Sequence, residues 1–343
     1  MRLFVERFVR LLLGTAGLIA LVSCVQGPAD RTAEVTAHTL SMEPYDVSLG
    51  AWLSTDLLAF VVGPEPDSAP YEARVGLYSL TDQTWQILEL PPSTCARQLI
   101  RGPLERLPDG RLGFLSKCTA DRYDEHFTLY AWDSTNQEAQ PLYSYPKDLA
   151  ADGYSFSPDM GEAIQHSAIG SGLNDQLYRV TANGDLERLW PDFQRVAAPS
   201  WSPSGEHLAF FGTASYPGNQ PGQPLTSSGI AGLLAYPWDL YVVQPDVSAL
   251  VVVLPGIVDA RQISWSPNGR WLAFTGEYEQ VRGLWLLQWG SVQPQPVLVR
   301  TGLLSFSWAP DGQRILVTVY DYESSTTPTV DVELLDLPEG LGE

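Results

Sequence analysis

Apolar residues along this chain gather in short runs, and the runs are separated by small polar clusters rich in Pro, Gly, Asn, Asp and Ser. The stretch QISWSPNGRWLAFTG, residues 262 to 276, shows the pattern in full. ISW reads as a short strand. Ser-Pro-Asn-Gly reads as a turn, in which Pro267 presets the backbone and Gly269 supplies the positive φ that closes it. RWLAFTG reads as the returning strand, and its consecutive apolar residues predict burial on both faces. GLWLLQWG and QPVLVR follow as a third and a fourth strand.

The same text recurs. SWSPSGEHLAFFG lies near residue 201 and SWAPDGQRILVTV near 308. YSFSPDMGEAIQHS begins at Tyr154, and worn copies begin at Glu105 (ERLPDGRLGFLS) and Gly50 (GAWLSTDLLAFVVG). Six copies at a spacing of roughly 45 to 60 residues match the period of a propeller blade. The sequence therefore predicts an all-β, six-bladed β-propeller of four-stranded antiparallel blades. The sixth unit stops after its third strand, and AEVTAHTLS before the first unit is a strand without a partner. The economical arrangement closes the last blade with that N-terminal strand, which removes an open edge. One such unit cannot bury both its faces, whereas six in a ring can.

The SWSPDG…LAF repeat resembles that of TolB-type propellers, a repeat also found in the propellers of prolyl oligopeptidase relatives. The resemblance spans about residues 34 to 343 and implies the fold. It does not imply one role, because this repeat serves many. With only about ten residues between Cys24 and the first strand, neither the extra α/β domain that precedes the propeller in the translocation protein nor a hydrolase domain is expected in this sequence.

Before the repeats, MRLFVERFVR and LLLGTAGLIALV have the charged start and apolar middle of a secretion signal. The run ends in Leu21, Val22, Ser23, Cys24, which resembles the lipobox of bacterial lipoproteins. That resemblance implies cleavage before Cys24, lipidation of Cys24 and anchoring on the outward-facing side of a bacterial membrane. The expected organisation is a signal over residues 1–23, a tether over 24–33 and a propeller over 34–343. Export to an oxidising compartment allows one pairing of the two remaining cysteines, Cys95 and Cys118. Cys95 falls in the link between the first two units and Cys118 just after a second strand, so both emerge on one face; two unpaired thiols are the alternative.

The formal charge of -20 disfavours nucleic acid as a partner. Removal of the signal takes three arginines and one glutamate with it, so the mature chain is more acidic still.

Loop lengths single out one face. The Ser-Pro-Asp-Gly turns are minimal, while the connections between second and third strands are long, including GEYEQVRG in the fifth unit. Extra length concentrated on one face marks it as the functional one. Acid, aromatic, acid recurs there, as Asp121, Tyr123 and Asp124, as Glu277, Tyr278 and Glu279, and as Asp321, Tyr322 and Glu323. The longest loop, over 212–237, adds Tyr216 and Tyr236 and runs into Trp238. Aromatics offer flat apolar area with a polar tip, and acids accept hydrogen bonds. Such a rim suits another envelope protein or a cell-wall glycan.

No catalytic constellation appears. IGSGL lacks the spacing of a nucleophile elbow. His38, His126, His166 and His207 are scattered, none in a zinc-ligand spacing, and His207 beside its turn is expected simply to be exposed. No cofactor is implied; Ca2+ on loop carboxylates in the central channel has no supporting spacing. The expectation is a non-catalytic envelope scaffold, with a glycan hydrolase or lyase using Asp124, Glu277 or Asp321 as the alternative.

Overall fold

A computed structural model describes residues 35–63, 73–89, 97–119, 125–145, 151–168, 175–181, 185–193, 195–213, 237–244, 250–321 and 329–338. The expected secretion signal and tether over residues 1–33, with Cys24, and Cys95 lie outside them.

These residues form six blades of four antiparallel strands in a ring. Blade 1 comprises β2 (Val47–Trp52), β3 (Leu57–Val62), β4 (Arg74–Ser79) and β5 (Trp85–Ile87). Blade 2 comprises β6 (Arg97–Arg106), β7 (Leu112–Thr119), β8 (Glu125–Asp133) and β9 (Glu138–Ser144). Blade 3 comprises β10 (Ala151–Phe156), β11 (Glu162–Ala168), β12 (Asp175–Thr181) and β13 (Leu186–Leu189). Blade 4 comprises β14 (Arg195–Trp201), β15 (Leu208–Thr213), β16 (Trp238–Val243) and β17 (Val251–Ile257). Blade 5 comprises β18 (Ile263–Trp265), β19 (Trp271–Tyr278), β20 (Val281–Gln288) and β21 (Gln295–Val299). Blade 6 takes β22 (Leu303–Trp308), β23 (Arg314–Asp321) and β24 (Thr329–Asp336), and is completed by β1 (Thr36–Leu40). β1 pairs antiparallel with β24, Thr36 opposite Asp336 and Leu40 opposite Val332, so the expected closure is present.

The repeat motif explains the core. Its second strand places Leu58, Leu112, Leu208, Leu272 and Ile315 at one equivalent position in five blades. Two residues on stand Phe60, Phe114, Phe210, Phe274 and Val317. All ten are buried, and removing a side chain of this size from water stabilises the fold by about 1.5–3 kcal/mol. Blade 3 departs from the pattern, with Ala163 and Gln165 at these positions.

Serines of the motif stitch neighbouring blades. The Oγ atoms of Ser155, Ser200 and Ser307 accept the backbone N–H of Trp201 (3.0 Å), Trp265 (3.3 Å) and Trp52 (3.1 Å) in the next blade. The last bond joins blade 6 to blade 1, and the Arg314 guanidinium lies 4.6 Å from the Trp52 ring across the same seam. Blade 2 has Glu105 where those serines stand.

The turns between first and second strands satisfy themselves. Gly269 has φ +71° and donates to the Ser266 carbonyl, while the Ser266 hydroxyl donates to Asn268 Oδ1 and accepts from Trp271 N. Ser157 and Asp159 repeat this geometry in blade 3, but there Met160 takes the positive φ, 59°. Left-handed backbone is costly for any residue with a Cβ.

Candidate functional site

Strand direction sends the second-to-third connections and the inter-blade links to one face. Along the chain, these connections hold residues 63–73, 120–124, 169–174, 214–237 and 322–328. Asp121, Tyr123, Asp124, Tyr216, Tyr236, Tyr322 and Glu323 lie outside the described residues. Asp321 is placed only as the last residue of β23.

Blade 5 corrects one expectation. GEYEQVRG is no long loop: β19 and β20 stay paired to Tyr278 opposite Val281, and the connection shrinks to Glu279 and Gln280. Both have positive φ, 49° and 66°, the signature of a two-residue hairpin turn that favours Asn-Gly. Replacing Glu279→Asn and Gln280→Gly together is expected to raise stability by about 1 kcal/mol, read from urea melts.

Beside this hairpin sits a compact ion network. Val258, in the link from blade 4, exchanges backbone hydrogen bonds with Glu277 at 2.9 and 2.8 Å. That fixes Asp259 over the hairpin. Asp259 Oδ2 accepts from Arg282 at 3.0 Å and from Arg261 at 3.1 Å. Arg282 also reaches Glu277 Oε2 at 3.2 Å. Two guanidiniums face two carboxylates, so the network is locally neutral on an acidic protein. Tyr278 is half-buried, its ring edge-on to Trp285 at 5.6 Å. Desolvation, and then the Glu279 charge, push its phenol above the ordinary range. Glu279 is exposed. Of the predicted rim, Glu277, Tyr278 and Glu279 therefore share one place, with Glu277 already engaged.

Trp238, expected on the rim, is instead buried. It begins β16, and the Arg195 guanidinium stacks 4.1 Å from its ring. Arg195 in turn binds Asp175 Oδ2 of blade 3 through Nε at 2.9 Å and Nη2 at 2.7 Å. His166 Nε2 lies 3.3 Å from the other Asp175 oxygen. Burial alone would raise the Asp175 pKa; the His166 hydrogen bond and the charges of His166 and Arg195 outweigh it and hold the carboxyl below its usual range. No local pattern in the sequence marks this network, because its members come from four separate strands, β11, β12, β14 and β16.

His207, expected to be exposed, is half-buried, with ring contacts to Trp289 at 4.9 Å and Trp265 at 6.2 Å. His38 pairs with Asp336 at 2.9 Å, and His126 is placed only as a residue of β8. Cys118 is disulfide-bonded, and its partner lies outside the described residues. Among the described residues no group of three or more His, Cys, Asp or Glu is placed to hold a metal ion.

No protein-family model matches the chain. Solved structures do. A protein assigned as TolB from Agrobacterium tumefaciens superposes with TM-score 0.54 at 14% identity, over 77% of this chain and 84% of that one. An oligogalacturonate lyase from Vibrio parahaemolyticus gives 0.52 at 12% identity, over 90% and 100%. A gluconolactonase from Xanthomonas campestris gives 0.54 at 15% identity, over 90% and 92%. At these identities the likeness is one of fold, and the fold carries both enzymes and a TolB protein. The chain is a six-bladed β-propeller, similar in fold to TolB proteins among others.

Proposed function

We propose that this protein is a non-catalytic scaffold of the bacterial cell envelope, held to a membrane by lipidated Cys24. It binds another envelope protein or a cell-wall glycan through the face of the long connections. The observation that carries this reading is the asymmetry of the two faces. On one, the turns are short and saturated by their own serines and aspartates. The other takes the longest second-to-third connections of the sequence, and of the acid-aromatic-acid triplets expected there Glu277, Tyr278 and Glu279 are the described one. The Glu277–Arg282–Asp259–Arg261 network offers that face donors and acceptors without net charge.

A glycan hydrolase or lyase needs two carboxylates at a set separation and free to exchange protons. Glu277 is committed to Arg282, which favours binding over catalysis.

The test is affinity capture from solubilised native membranes on the full chain, beside a variant with Tyr123→Ala, Tyr278→Ala and Tyr322→Ala. Melting curves check that the variant is folded. A partner held by the wild type and released by the variant supports the reading. Equal recovery by both, or recovery of nothing, overturns it and sends the work to hydrolysis assays on glycans.

A further inference from the structure

Exposed apolar side chains gather in one part of this protein. Among the described residues the large ones are Leu250, Val251 and Val252 in blade 4 and Trp289, Val292 and Val299 in blade 5. Single apolar residues scattered over a surface are ordinary, whereas a group of them marks a place that another apolar body covers. Strand pairing puts five of the six at one level. Val251 stands opposite Val242 in β16, and the next residue, Val243, stands opposite Leu208, where β15 leaves its turn. Trp289 donates its backbone N–H to the Arg270 carbonyl at 2.7 Å, and Arg270 directly follows the turn of blade 5. Leu250, Val251, Val252, Trp289 and Val292 therefore belong to the face of the short turns, away from the long connections. Val299 ends β21 toward the other face.

The patch bridges two blades. The His207 ring of blade 4 stands edge-on to Trp289 at 4.9 Å, and Trp265 lies 5.2 Å from it. These rings prop the indole in place while 38% of Trp289 stays in solvent. Charge on this face divides in the same way. The third turn position is Asp109, Asp159 and Asp311 in blades 2, 3 and 6, but Ser204 in blade 4 and Asn268 in blade 5. Residues 289–294 include no charged side chain. The described turns beside the patch add Glu206 and Arg270, one of each sign; Asp246 lies outside the described residues.

What covers the patch follows from where the chain enters the fold. Thr36 begins β1 opposite Asp336, and Asp336 stands opposite Arg314, just after the turn of blade 6. The N-terminal stretch thus joins the propeller on the short-turn face, at the blade next to blade 5. Fully extended, the chain from Cys24 to Thr36 reaches at most about 40 Å. A lipid on Cys24 therefore keeps this face, and not the long connections, close to the bilayer. We propose, resting on the lipidation of Cys24 argued above, that the short-turn edge of blades 4 and 5 lies in the headgroup region of the membrane that holds the anchor. Trp favours that region because its ring is apolar and its N–H is not. Acyl chains and an apolar patch together hold a bilayer more firmly than either alone. The turn aspartates of the other blades stay off an anionic surface, which repels them.

The test uses the full chain, processed in a bacterial host and reconstituted in vesicles of phosphatidylethanolamine and phosphatidylglycerol, with and without nitroxide-labelled lipid. An environment-sensitive fluorophore is attached at Val292→Cys, or at Glu279→Cys on the opposite face as control. Cys118 is disulfide-bonded and takes no label. Intact mass reports whether Cys24 is acylated, and Val252→Cys replaces Val292→Cys should the latter misfold. The label at 292 is expected to shift to the blue and to lose most of its emission to the nitroxide lipid, while the label at 279 keeps its own. With Cys24 acylated, no quenching at 292, or equal quenching at both positions, overturns the orientation and leaves the anchor standing. An unacylated chain overturns the anchor and the orientation together. A blue shift at 292 that grows with protein concentration in detergent and ignores the nitroxide lipid assigns the patch to a second copy of the chain, and also overturns the proposal.

Discussion

Arg195→Met is expected to lower the unfolding free energy by about 3–5 kcal/mol, the cost of leaving a buried carboxylate without its partner. Asp175 sits at the junction of blades 3 and 4, and Arg195 supplies both its close contacts on one oxygen. Removing the guanidinium also strips the cover from Trp238. The double variant Arg195→Met with Asp175→Leu is expected to recover most of the loss, since apolar residues replace a buried pair at little net cost. Urea melts of the two single variants and the double variant measure this coupling. A double variant as unstable as the single would show that the packing on Trp238, not the charge, was what mattered.

The second large effect has the opposite sign and depends on pH. Glu105 is half-buried on β6 of blade 2, beside Tyr154 of blade 3, where blades 3 to 6 put serine. Desolvation raises its carboxyl from 4.5 to about 8. Between those values the folded chain keeps a proton that the unfolded chain releases, so this group makes stability fall as pH rises from 4.5 to 8. The full shift corresponds to roughly 5 kcal/mol. Water reaches part of the group, which reduces the expected effect to about 1–3 kcal/mol. Glu105→Gln is therefore expected to melt roughly 2–5 °C above the wild type at pH 8. The two should coincide near pH 4.5, where both carry a neutral side chain. A pH-independent difference would assign the effect to shape instead of charge.

The fold was legible because each blade states itself locally. A turn fixed by Pro and Gly and a run such as LAF need no distant partner to be recognised. Closure by β1 was legible for the same reason, as one strand too many at one end and one too few at the other. The site was less legible. Trp238 looks like a rim aromatic in sequence, and only Arg195, folded over it from another strand, explains its burial. Glu277 looks like a free acid, and Arg282 across the hairpin answers it. The hairpin itself was hidden because Glu279 and Gln280 hold positive φ without the Asn or Gly that announces it. Glu105, Ala163 and Gln165 did leave a signal, in their departure from the residues that the other blades keep at those places.

β1 and β24 are joined residue by residue from Thr36–Asp336 to Leu40–Val332, yet they are separated by almost the whole chain. During synthesis β1 is made first and its partner last. Blades 1 to 5 can each zip up from neighbouring strands as they appear, but the ring stays open until the final strand is available. Until then β1 is an unpaired edge, and so is the exposed flank of blade 1. A chain interrupted before Val332 does not lose a tail; it loses the joint that makes six blades one object.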